Sequence, residues 1–198
     1  MIEASDKRLN SFRSAPNLLT LLRICLAPFL VAAILERRFE LSFGLFLLAG
    51  LTDALDGALA RLLKQRTRLG EYLDPVADKL LLSTLFVVLT HMGMIPLRVT
   101  VLVFGRDVGI LVVAAILYAA VGRRDFLPSL FGKANTTVQV ATVAVVLLHQ
   151  LTAVAWVVDL KTLLLDATMA LTVASGLHYS WSVSRRLGTA APSGGGAR

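Results

Sequence analysis

The sequence predicts an all-α, polytopic membrane protein with six transmembrane helices, and three observations lead there. Of the 198 residues, 56% are hydrophobic and 17% charged, and the mean hydropathy of +0.73 is far above that of an ordinary soluble domain. The apolar residues gather into six blocks, most of them near the ~20 residues that carry a helix across a hydrocarbon core. Within the blocks they run continuously, without the alternation of a β-barrel, and a backbone in lipid must then satisfy its own hydrogen bonds as helix.

In chain order, residues 1–16, MIEASDKRLNSFRSAP, set Ile2, Leu9 and Phe12 among Lys7, Arg8 and Arg13. That mixture suits an N-terminal interfacial helix or a polar leader. A cleaved signal peptide is not expected, because the first apolar block is long, follows a polar stretch and lacks a small-residue cleavage site. The predicted spans are Leu18–Leu35, Leu41–Leu63, Asp74–Ile95, Leu97–Val121, Ala134–Val158 and Thr162–Val183. Residues 17–187 form one membrane domain on this reading, and the Gly-rich 188–198 a flexible tail.

Basic residues set the orientation. With the N-terminus inside, Lys7, Arg8, Arg13, Arg61, Lys64, Arg66, Arg68, Arg123, Arg124, Lys133, Arg185, Arg186 and Arg198 fall on the inner side, against Arg37, Arg38, Arg98 and Lys161 outside. Both termini then face the cytoplasm. The net charge of +7 is a topology signal and an attraction to anionic membrane lipids. No aromatic-interleaved basic surface points to nucleic acid. Cys25 stands alone, which excludes an intrachain disulfide and a cysteine metal site.

Ionisable residues in apolar spans are costly and mark function. Most of them lie in LTDALDGALARLLKQRTRLGEYLDPVADKLLLS, Leu51 to Ser83. Asp53 and Asp56 are three apart and Asp74 and Asp78 four apart, so each pair shares one helix face. If the two helices are antiparallel neighbours, the four carboxylates converge at the inner surface, where their mutual repulsion calls for cations or for shared protons. An all-oxygen set argues for Mg2+ or Mn2+, with two ions able to share four carboxylates. Gly57 and Ala60 extend the same face as a trough for a ligand or as small-residue helix packing. Arg61 suits a phosphate or a snorkelling anchor. Gly70 allows a tight loop, and Asp74 before Pro75 reads as the cap of the third span.

These residues, Asp53, Asp56, Gly57, Ala60, Arg61, Gly70, Asp74 and Asp78, resemble the signature of the CDP-alcohol phosphotransferase family, D-x2-D-G-x2-A-R-x8-G-x3-D-x3-D, with every fixed position met. PNLLTLLR, Pro16 to Arg23, is similar to that family's first-span opening. The resemblance implies a homodimeric six-helix fold with a cavity open to the cytoplasm, and an enzyme that moves a phosphatidyl group from CDP-diacylglycerol to an alcohol with release of CMP. It implies that Asp53, Asp56, Asp74 and Asp78 ligate two metal ions, that Asp78 is also the catalytic base, and that Gly57, Ala60, Arg61 and Gly70 border the CDP moiety.

The acceptor should be chosen further along the chain. Arg106 in FGRDVG and Lys133 in FGKANTTVQV could hold an anionic acceptor, or could be a buried ion pair with Asp107 and an interfacial anchor. GRDV and KANTTVQV resemble the cardiolipin synthase branch, whose acceptor is phosphatidylglycerol. GKANTTVQ is also similar to the G-K-x-K-T-x-x-Q run of phosphatidylglycerophosphate synthases, which use glycerol 3-phosphate, with Asn135 where a second Lys is usual. Both acceptors stay open, ahead of serine and inositol phosphate. A divalent-cation transporter and a catalytically inactive scaffold are the readings from other classes. His91, His149 and His178 read as packed or interfacial residues, and Trp156, Tyr179 and Trp181 as belt aromatics.

Overall fold

The computed structural model describes the backbone of residues 15–62, 68–121, 130–152 and 154–190, with side chains described over 21–55, 78–113, 132–152 and 154–181. Among the described residues there are six helices and no strand: α1 (Ala15–Leu35), α2 (Phe39–Leu62), α3 (Arg68–His91), α4 (Leu97–Val121), α5 (Leu130–Leu151) and α6 (Ala155–Ala190). Of the expected leader 1–16 and tail 188–198, residues 1–14 and 191–198 lie outside the described residues, while 15–16 begin α1 and 188–190 end α6.

The tight turns explain why the chain can double back so abruptly. After α1, Arg37 takes a left-handed φ of 60°, its N–H donates to the Ile34 carbonyl at 3.0 Å, and the Arg38 N–H donates to that of Ala33 at 2.9 Å. Gly93 repeats the arrangement after α3 with φ 75°, its N–H reaching Thr90 and that of Met94 reaching Leu89. Both are Schellman endings, in which one left-handed residue satisfies the last carbonyls of a helix. Glycine adopts that conformation without penalty, whereas Arg37 carries a Cβ in it.

Several helix ends differ from the sequence reading, and two of the differences are informative. The third helix begins at Arg68, so Asp74 and Pro75 lie within it and Asp74 is not its cap; Gly70 sits in its first turn. One proline removes one backbone donor, and the helix formers Arg68, Leu69 and Glu71 upstream carry the helix past that loss. The second difference is the break at Thr152–Val154, which ends α5 earlier and starts α6 earlier than Val158 and Thr162. No Gly or Pro marks that break, and the run of alanines and valines around it reads as continuous helix.

Helix α1 packs against α2 and α3; α2 also packs against α5, α3 against α4 and α5, and α6 against α4 and α5. Among the described residues α1 lies against both α2 and α3; the facing ends of α2 and α3 that the expected antiparallel pair would bring together, residues 56–77, lie outside the residues whose side chains are described. The apolar core gathers where the α1–α2 and α3–α4 turns lie, from Leu30 and Ile34, Phe46, Leu85, Phe86 and Leu89, Val99, and Val146 and Leu147. The outside is apolar as well, with Phe29, Leu80, Leu97, Leu111, Leu163 and Leu177 exposed. One helical stretch among the described residues, Gly132–Leu151, is long and apolar enough to cross a membrane, and Leu21–Leu35 is a shorter apolar one.

The α5–α6 seam is polar. Thr142 Oγ1 lies 2.8 Å from Thr168 Oγ1 and reaches the Leu164 carbonyl, and Thr172 Oγ1 donates to Asn135 Oδ1 at 3.1 Å. Hydrogen bonds between membrane helices are worth about 0.6 kcal/mol on average. A Thr142→Val and Thr168→Val double-mutant cycle should therefore give a coupling of about that size, measured by unfolding in mixed micelles.

Candidate active site

Three helices deliver charged residues to one layer by the same register. Arg23, Asp53 and Asp78 each stand seven residues from a buried core residue on their own helix, respectively Leu30, Phe46 and Leu85. Seven residues are close to two turns, so each charge shares the face of its core partner, displaced ~10 Å along the axis. In every case the displacement is away from the α1–α2 and α3–α4 turns. The polar layer therefore sits at the other end of the bundle from the apolar core.

Within that layer Arg23 pairs with both acids. Its Nη2 is 2.7 Å from Asp53 Oδ1, and its Nη1 donates to Asp78 Oδ1. The guanidinium is 2% exposed, while Asp53 and Asp78 are 55% and 38% exposed, so the acids open outward from a buried cation. The sequence reading places Arg23 only in an opening motif. An arginine within an apolar span is the signal that could have found it.

The side chains of Asp56, Gly57, Ala60, Arg61, Gly70 and Asp74 lie outside the described residues. Their backbones place Asp56, Gly57, Ala60 and Arg61 in the last turns of α2, and Gly70 and Asp74 in the first turns of α3. Among the described residues no group of three or more His, Cys, Asp or Glu side chains converges. The two acids that are described do meet at one positive charge, and their hard carboxylate oxygens suit a small divalent ion. On that observation the residues fit the metal expected of them.

A second charged cluster adjoins the first. Asp107, 10% exposed, pairs with Lys79, the residue after Asp78, and accepts from Arg106 Nη1 at 2.9 Å. Arg106 Nη2 donates to Ser175 Oγ at 2.7 Å. Arg106 is thus engaged as the ion pair that is one of its two readings, while its link to α6 through Ser175 has no counterpart in the sequence pattern. Lys133 is exposed near the start of α5. The structure does not bring Arg106 and Lys133 together through adjacent helices, because α4 and α5 do not pack on one another among the described residues. Sequence reasoning also passes over Gln139, whose buried Nε2 has no hydrogen-bond partner; the same is true of Arg106 Nε and Asn135 Nδ2.

A cardiolipin synthase (CMP-forming) of Homo sapiens is 48% identical over 104 residues, 52% of this chain and 34% of that protein, so the match spans about a third of the human relative. A probable phosphatidylglycerophosphate synthase of Mycobacterium tuberculosis is 32% identical over 182 residues, covering 87% of this chain and 82% of the relative. A CDP-diacylglycerol--glycerol-3-phosphate 3-phosphatidyltransferase of Aquifex aeolicus is 37% identical over 129 residues, 62% of this chain and 69% of its own length. The family model for CDP-alcohol phosphatidyltransferase matches residues 13–174, a stretch that holds Arg23, both described acids and the Lys79–Asp107–Arg106 cluster. By that match the chain belongs to the CDP-alcohol phosphatidyltransferase family, an enzyme family.

Proposed function

We propose that this protein transfers the phosphatidyl group of CDP-diacylglycerol to a glycerol-type alcohol and releases CMP. The observation that carries the reading is the meeting of Asp53 and Asp78, one from α2 and one from α3, at one cation inside a chain of this family. Asp53, Asp56, Asp74 and Asp78 would hold Mg2+ or Mn2+, as two ions. Bound there, the metal supplies Lewis-acid neutralisation of phosphoryl oxygens.

The chain's own residues do the rest. Asp78, partly exposed, takes the proton of the acceptor hydroxyl as that oxygen bonds to the lipid-bearing phosphorus, and the bond from that phosphorus to CMP breaks with its electron pair leaving on CMP. Gly57, Ala60, Arg61 and Gly70 border the CDP moiety. Arg106 and Lys133 attract the acceptor's phosphate, and the unpaired amide donors of Asn135 and Gln139 suit its oxygens.

The exposed apolar side chains on all six helices support a multi-pass membrane domain over 17–187; the excess of basic residues on the predicted inner side supports acids facing the cytoplasm, and the family resemblance supports a homodimer. Asp53 and Asp78 lie on unbroken helices, which suits an enzyme better than a cation transporter built on interrupted ones.

Purified protein with Mg2+ or Mn2+ should release CMP from CDP-diacylglycerol when given glycerol 3-phosphate or phosphatidylglycerol, and comparing the two assigns the acceptor. Absence of CMP with either, together with metal flux into liposomes lacking nucleotide, would replace this reading by the transporter.

A further inference from the structure

Arg23 is a buried charge that the steps above do not use. A guanidinium stays ionised in proteins and offers five N–H donors. Here it is 2% exposed, and its Nε and Nη2 complete no hydrogen bond, although Nη2 lies against Asp53. Donor capacity is therefore left over, inside the layer where phosphates would be handled.

Two requirements of the proposed chemistry conflict with Arg23 staying where it is. A carboxylate oxygen engaged by Nη1 is hindered from receiving a proton, yet Asp78 is the base. A divalent cation on Asp53 and Asp78 would also sit beside a fixed positive charge, and like charges a few ångströms apart repel strongly even at an effective dielectric of about 20. Both conflicts vanish if the guanidinium changes partner, and a diphosphate is the anion that its planar fork matches.

We propose that Arg23 is an exchangeable counter-ion: it holds Asp53 and Asp78, yields them to a divalent cation, and turns its freed donors to the diphosphate of the nucleotide substrate. This rests on the phosphatidyl-transfer reading of the same acids. It makes Arg23 a residue that both sets the metal affinity and couples it to nucleotide.

The test is Mn2+ binding to the purified full-length protein, followed by electron paramagnetic resonance of free Mn2+, with and without CDP. Arg23→Gln should bind Mn2+ about tenfold more tightly than wild type in the absence of nucleotide, because a competing charge is gone. Arg23→Lys should fall between them, since one ammonium holds two carboxylates less well than a fork. CDP should tighten Mn2+ binding in wild type, and Arg23→Gln should lose most of that gain. Equal or weaker Mn2+ binding in the Arg23 variants overturns the exchange, as does undiminished coupling to CDP in Arg23→Gln. Should Arg23→Gln fail to fold, Arg23→Lys decides by the same comparison. Mn2+ binding as tight as wild type in an Asp53→Asn, Asp78→Asn double variant defeats instead the acid-site reading beneath.

Discussion

Asp78→Asn is expected to lower CMP release by on the order of 10³-fold, within the range that loss of a positioned general base produces. Asparagine keeps the size and one carbonyl oxygen, so Arg23 Nη1 retains an acceptor and the α1–α3 contact is preserved. Only the ability to take a proton and to balance charge is removed. Asp53→Asn is the control, because Asp53 touches the same guanidinium from α2 and has no assigned part in proton transfer. Its loss should be mainly one of metal affinity, recovered in part by raising Mn2+, whereas Asp78→Asn should stay inactive at any Mn2+ concentration. Steady-state CMP release across a Mn2+ series separates the two. Activity of Asp78→Asn within tenfold of wild type would remove Asp78 as the base.

Asp53 and Asp78, the two of the four candidate acids whose side chains are described, could be singled out from sequence because their signal is local: carboxylates in an apolar chain are too costly to be there without a task. The helices were legible for the same reason, and α4 has the bounds expected of it, Leu97–Val121. What joins the acids was not legible, since pairing Arg23 with Asp78 spans 55 positions and depends on α1 lying against both α2 and α3. A short loop between α2 and α3 suggests direct neighbours, and nothing in the loop itself reveals that a third helix packs against both. The start of α3 is misplaced by sequence because Asp-Pro is a strong local capping pattern, outweighed here by helix formers before it. Adjacency alone pairs Asp107 with Arg106 at the preceding position, but its second partner, Lys79, comes from another helix.

That second partner underlies the remaining large effect. Asp107→Asn should destabilise the protein by about 3 kcal/mol, the low end of what breaking a buried ion pair costs. Asp107 is buried beside Arg106, which is 11% exposed, and both are shielded from water on the α4 face that meets α3 and α6. Without the carboxylate charge, Arg106 keeps its Ser175 bond but loses its counter-charge, with Lys79 adding a second positive charge nearby. Lys79 is 43% exposed and can turn to solvent, which is why the low end applies. The diagnostic is the Arg106→Gln, Asp107→Asn double variant: removing both charges should recover most of the loss, because the penalty comes from an uncompensated cation rather than from the absence of a favourable pair. Unfolding in mixed micelles measures all four corners of that cycle. If Asp107→Asn unfolds within 0.5 kcal/mol of wild type, roughly the scale of an ordinary surface substitution, the cluster does not hold α3 to α4. Lys79 would then be anchored by something else, and the placement of Asp78 beside it would not depend on Asp107.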